Sequence, residues 1–108
     1  MAWSESISKA IAYIEAHLQE PLSVEDIARA AALSPFYFQR GFSMLCDMSV
    51  GEYIRRRRLS QAGLAVLMSE RSVLDIALDY GYDSADGFTK AFTRFHGVTP
   101  TTLRKSGG

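Results

Sequence analysis

Gln39 and Arg40 stand side by side in the phrase "SPFYFQRGF", Ser34 to Phe42. An arginine fork suits the O6 and N7 acceptors of guanine, and a glutamine amide suits the donor and acceptor of adenine. Fifty positions later the chain repeats the phrase as "SADGFTKAF", Ser84 to Phe92. The serines and both phenylalanines match, and a cation again precedes the last phenylalanine by two. The polar residues do not match: Thr89 and Lys90 replace Gln39 and Arg40.

Placed on a helix at about a hundred degrees per residue, the two phrases sort into faces. Phe38, Phe42 and Leu45 share one side, the expected core stripe, while Phe36, Arg40 and Ser43 point away and Gln39 lies on the flank. In the second phrase Phe88, Phe92 and Phe95 form the stripe, Asp86, Lys90 and Thr93 face outward, and Thr89 is on the flank. The frame therefore repeats because two cores match, and the differences fall outside. Exposed positions also drift without function, so the repeat alone leaves both readings open. The chemistry of Gln39 and Arg40 favours base edges, and a first helical turn with free N–H groups suits a phosphate. In helix-turn-helix units the N-terminal half of the second helix enters the major groove, which is where these residues fall.

The elements that must carry these faces are all helical. Ile7, Ile11, Ile14 and Leu18 recur at steps of four, three and four on a first helix that stops before Pro21. Ser23 with Asp26, stapled by Leu22 and Ile27, opens a short second helix. Ser34 and Pro35 open a third, running to about Cys46. A box from Ser49 and Glu52 opens a long helix to about Met68, and another from Ser72 and Asp75 opens a short one. A helix from Ala85 to about Phe95 follows, then a last short one capped by Thr99 and Pro100. The expected fold is all-α with about seven helices: two helix-turn-helix subdomains joined by a long linker helix. The lobes are 1–49 and 69–108, with the linker at 50–68, forming one DNA-binding region overall. About nineteen helical residues span roughly 28 Å, comparable to the ~34 Å between successive major grooves.

Bulk properties narrow the classes further. In 108 residues the net charge is zero, 47% of residues are apolar and 22% charged, an ordinary globular composition. The charge is unevenly spread. Residues 1–33 hold two cations and five acids; residues 34–58 hold Arg40 and Arg55 to Arg58 against Asp47 and Glu52. From Phe88 onward Lys90, Arg94, Arg104 and Lys105 meet no acid. No apolar run is long enough to cross a bilayer, and the start lacks the features of a signal peptide, so the cytoplasm is the expected location. Cys46 has no cysteine partner and reads as a buried small hydrophobe. His17 and His96 have neither a nucleophile nor a ligand set beside them. No acid/base or metal constellation supports an enzyme, and no cofactor is expected. Trp3 reads either as a cover for the first helix or as a disordered end.

Together "SVEDIARAAALSPFYFQRGF", "YIRRRRLSQAGLAVL", "VLDIALDYGYDS" and "FTKAFTRFHGVTP" resemble the DNA-binding region of AraC/XylS-type transcription regulators over nearly the whole chain. "HLQEPLS", "GEYIR.RRLS" and "LDIAL.YGYDS" are most similar to the branch containing MarA, SoxS and Rob. The resemblance implies a monomer that places two recognition helices in adjacent major grooves of an asymmetric double-stranded promoter site. It also implies activation through RNA polymerase, with no membrane partner. In this branch the domain stands alone or precedes an effector-binding domain, which leaves room for a C-terminal effector-binding domain beyond Gly108.

The branch's base-reading positions fall on Phe36, Gln39 and Arg40 in the first unit. In the second they fall on Ala85, Asp86, Gly87, Thr89 and Lys90. Ala85, Asp86 and Gly87 stand where the branch typically carries glutamines and a threonine, so the first unit is expected to supply most of the specificity. Asp86 either accepts from a cytosine amine or caps its helix, and its first-turn position favours the cap. Ser34, Ser43, Ser84, Thr93, Arg55 and Arg56 are the candidate phosphate contacts, although Arg55 to Arg58 span a full turn and cannot all face one partner. Asp47 replaces the glycine that usually ends the first recognition helix, and Val50 replaces a common proline. The competing reading is a helical protein-interaction module that kept the fold and lost DNA reading; zero net charge is its best support.

Overall fold

The structure, a computed structural model, describes residues 2–107, with seven helices and no strand among them. These are α1 (Trp3–Ala16), α2 (Val24–Ala30), α3 (Pro35–Cys46), α4 (Val50–Met68), α5 (Val73–Asp79), α6 (Ala85–His96) and α7 (Pro100–Gly107). Hydroxyl caps set most of the starts. Ser23, Ser34, Ser49, Ser72, Ser84 and Thr99 each accept from the backbone N–H three residues on, at 3.0–3.3 Å. The acidic partners behave differently from the expected reciprocal boxes. The Asp26 carboxylate accepts from Arg29 at 2.9 Å and that of Glu52 from Arg55 at 2.7 Å. A guanidinium one turn along is a stronger donor to a carboxylate than a backbone N–H.

The chain divides into two compact units between Arg55 and Arg56, inside α4. The first has a core of Ile7, Ala10, Ile14 and Leu18 with Ile27, Ala28 and Ala31, closed by Phe38 and Phe42 of α3. Val50 belongs to it, and Tyr53 and Ile54 pack against it. Tyr53 meets the Phe42 ring edge-on at 5.6 Å and donates its hydroxyl to Glu15 at 3.1 Å. The second core is Leu59, Ala62 and Val66 of α4 with Ile76, Ala77, Tyr80, Phe88 and Phe92. The long helix thus supplies core side chains to each unit, first from one segment and then from the next.

Each helix-turn-helix bends at a residue in the left-handed region. Ala32 (φ 59°) holds this place between α2 and α3, and Gly81 (φ 87°) between α5 and α6. Behind it, Leu33 N–H donates to Ala28 O at 2.9 Å and Tyr82 N–H to Ala77 O at 3.0 Å, the same closure of the helix end. After the second helices, Asp47 (φ 57°) and Gly97 (φ 82°) take the left-handed position.

Three side chains depart from the core stripes expected of them. Leu45 is 57% exposed and Phe95 40% exposed, although both lie on the apolar side of their helices. Each stands seven residues, about 10 Å, beyond the first phenylalanine of its stripe, so the stripe outruns the partners that cover it. Cys46 is only partly buried, at the edge of the first core.

Candidate nucleic-acid interface

The first unit presents α3 with its back buried and its front open. Phe38 and Phe42 are fully buried and meet edge-on at 5.7 Å, which fixes the rotation of the helix. Phe36, Gln39, Arg40 and Ser43 then lie together on the exposed side. Phe36 is 63% exposed, an unusual position for an aromatic ring, and meets Tyr37 edge-on at 5.8 Å. The Arg40 guanidinium carbon lies 5.4 Å from the Phe36 ring centroid. Gln39 Nε2 makes a long hydrogen bond of 3.4 Å to Pro35 O. Arg40 is the one charged residue of α3, so nothing on its own helix neutralises it.

In the second unit α6 is built alike. Phe88 and Phe92 are buried, with ring centroids 5.4 Å apart, and Tyr82 meets Phe88 edge-on at 5.4 Å. Asp86 and Lys90 are exposed, and Ala85, Thr89 and Thr93 are half-buried. Lys90 Nζ pairs with Asp86 Oδ2 at 3.3 Å. The side-chain cap of α6 is Ser84, whose Oγ accepts from Gly87 N–H at 3.1 Å. The N-cap hydrogen bond thus belongs to Ser84, while Asp86 lies in the first turn, where its charge faces the positive helix end, and reaches forward to Lys90. Gly87, exposed, has no side chain to extend toward a ligand.

Of the candidate phosphate contacts, Ser34 and Ser84 each accept one backbone N–H as caps, and each hydroxyl keeps its O–H as a donor. Ser43 is exposed on α3. Arg55 grips the Glu52 carboxylate through Nε and Nη2 at 2.7–3.1 Å. Arg56 is exposed, whereas Arg57 and Arg58 are partly buried. Burial lowers the pKa of Arg58, whose Nη1 lies close beside Gly81.

Two supports behind these helices differ from the sequence expectations: Trp3, expected to cover the first helix or to lie in a disordered end, is helical and covers α3, and His96 braces α4. Trp3 lies within α1, and its ring packs against Gly41 of α3, where an added Cβ would run into the six-membered ring. It covers α3, one position from Arg40. With Tyr37, Met44 and Leu45 it borders an apolar hollow of about 270 Å³. In the second unit the His96 ring lies over Gly63 of α4 and donates its Nε2–H to Leu59 O at 2.8 Å. His17 likewise engages Tyr13 O through Nδ1, at 2.7 Å. Arg104 Nε donates to Val66 O at 3.0 Å, serving the last turn of α4. The glycines were the available signal, because a glycine inside a helical pattern marks a close approach.

A family model described as a helix-turn-helix domain matches residues 27–106. The chain is 40% identical to the Right origin-binding protein of Escherichia coli (strain K12) over 94 residues, 87% of this chain and 32% of that protein. It therefore spans about a third of the length of that relative. It is 36% identical to the Regulatory protein SoxS of the same organism over 104 residues, 96% of this chain and 97% of SoxS. Among solved structures, a transcriptional regulator from Chromobacterium violaceum, described as AraC-type DNA-binding domain-containing, is 25% identical with a TM-score of 0.91. That match covers 97% of this chain and 94% of the other. No helix among the described residues is long and apolar enough to cross a membrane.

Proposed function

Because the chain belongs to the AraC-type helix-turn-helix transcription regulators, on the SoxS- and Rob-like branch, we propose that it reads one asymmetric double-stranded promoter site as a monomer. In this reading α3 and α6 enter successive major grooves, and the bound protein activates transcription by contact with RNA polymerase in the cytoplasm. Phe36, Gln39 and Arg40 read bases from α3; Asp86, Thr89 and Lys90 read them from α6. Ser43, Thr93 and Arg56 face phosphates, with Ser34 and Ser84 at the helix starts. Arg55 contributes only if it leaves Glu52. An inducer, where the regulator has one, acts on an effector-binding domain C-terminal to this region.

The observation that supports this reading best is the outward side of α3. An exposed aromatic, an amide and an unneutralised guanidinium stand together on a helix whose rotation two buried phenylalanines hold. Stability explains the phenylalanines behind it and leaves the front unexplained; base-edge recognition accounts for the front. Selection from randomised duplexes, followed by footprinting, tests it. The expected result is one asymmetric site with protection on one side of the duplex over two successive grooves. Submicromolar affinity should fall steeply with salt as phosphate contacts release counterions.

The second reading, a helical interaction module that has lost DNA recognition, draws on the apolar hollow between Trp3, Tyr37, Met44 and Leu45. Equal, weak binding to all duplexes would favour it over the first.

A further inference from the structure

Phe36 and Arg40 of α3 correspond, fifty residues apart, to Asp86 and Lys90 of α6. Both pairs are in contact, but with opposite electrical outcomes. In α3 an aromatic face holds the cation and leaves its charge intact. In α6 a carboxylate holds it at 3.3 Å, and the pair is close to neutral. The side chains are 75% (Lys90) and 82% (Asp86) exposed, so the pair adds little to stability. Ser84 makes the hydrogen-bond cap of the helix, which leaves Asp86 only the modest charge–dipole effect of a solvent-exposed acid in the first turn.

An outward carboxylate is a liability on a helix that approaches phosphates, unless it meets a donor there. In the major groove cytosine presents its N4 amine as a donor, and the paired guanine presents O6 and N7 as acceptors. A carboxylate and an ammonium side by side are the complement of that edge. Ala85 and Gly87 cannot reach a base with a polar group, and Thr89 is half-buried, so this pair dominates the polar character of the outward side of α6.

We propose that Asp86 and Lys90 together read a single C·G base pair. Asp86 accepts from the cytosine amine, Lys90 donates to guanine, and Asp86 rejects bases that present an acceptor. This rests on the reading that α6 enters the major groove. Adenine also offers an amine, but its thymine partner gives Lys90 one acceptor beside a methyl group, where guanine gives two. A thymine O4 or guanine O6 facing Asp86 sets acceptor against acceptor in a site that water has left, which is how a repulsive element confers specificity. At this position the second unit then contributes discrimination with little non-specific attraction, because Lys90 is compensated by Asp86 until the right pair displaces the contact, while Arg94, exposed one turn on, keeps its charge.

Selection from randomised duplexes with the full chain and its variants tests this. Wild type should select C·G at one position outside the stretch that changes in Arg40→Ala. Asp86→Ala should erase that preference, and Asp86→Asn should move it toward adenine, the base an asparagine amide suits. Replacing the selected pair by T·A should weaken wild-type binding roughly tenfold to a hundredfold, and Asp86→Ala binding much less. A selected site with no position that depends on Asp86, while the Arg40-dependent position persists, overturns this inference and leaves the proposed function standing. Absence of any enriched site overturns the proposed function and this inference with it.

Discussion

Arg40 carries its guanidinium 5.4 Å from the centre of the Phe36 ring, one helical turn back on α3. With no acid on that helix, the ring restrains the side chain without cancelling its charge. A restrained arginine loses less rotamer freedom when it engages a base, so the contact orients the group before binding.

Arg40→Ala is expected to cost about 1–3 kcal/mol in binding a selected duplex and to relax one base position. If Phe36 orients the guanidinium in the complex, Phe36→Ala and Arg40→Ala will not add. A double-mutant cycle on duplex affinity should give a coupling of roughly 0.5–1 kcal/mol. Strict additivity would show that the ring plays no part once DNA is bound.

The left-handed turn residues make a stability prediction. Ala32 occupies with a Cβ the place that Gly81 occupies without one. Ala32→Gly should raise stability by about 1 kcal/mol, because an L-residue with a Cβ is strained in this region. Asp47→Gly should gain less, since aspartate tolerates the conformation. Gly81→Ala should lose a similar amount, more so because Arg58 Nη1 lies 3.3 Å from the added Cβ. Urea unfolding of the three variants measures the order.

Two helical glycines under rings should respond differently. Gly41→Ala drives a Cβ into the Trp3 ring, but Trp3 lies near the start of α1 and is 42% exposed, so it can swing away. The gain in helix propensity, roughly 0.5–1 kcal/mol, offsets much of the loss. The expected signature is a changed emission of this single tryptophan with little change in stability. In Gly63→Ala the obstacle is His96, tied to Leu59 O at 2.8 Å and wedged against Phe92 and Phe95. It cannot leave cheaply, and overpacking of about 1–3 kcal/mol is expected in thermal melts.

Burial pushes the Cys46 thiol above its ordinary pKa. The thiolate is the reactive form, so at pH 8 a smaller fraction of Cys46 reacts than of a free thiol. Iodoacetamide should alkylate it more slowly than glutathione at that pH, with the rate rising further into the alkaline range. A faster rate than glutathione would contradict the burial that the structure assigns.

Much of the local structure of α3 and α6 is legible in the sequence. The i, i+4 spacing of Asp86 and Lys90 is that of an ion pair on a helix, and Ser84 two residues before Asp86 is a stronger N-cap by position. Both facts stand in the sequence; which of its possible partners the Asp86 carboxylate takes depends on the side-chain conformation, which the sequence does not fix. Leu45 and Phe95 were misplaced for another reason. Periodicity tells which side of a helix a residue is on, but not where along that side the neighbouring helices end.

The amino-acid sequence by itself determined the seven helices, the hydroxyl caps of all but α1, and the rotation of α3 and α6. These depend on interactions within a few residues, on the step of a hundred degrees and on an N–H three positions ahead. Only the tertiary structure decided that Trp3 covers Gly41, that His96 reaches across to Leu59 O, and that α4 feeds two cores from successive segments. Those contacts join residues far apart in the chain, and what lies opposite a side chain depends on how the whole unit packs.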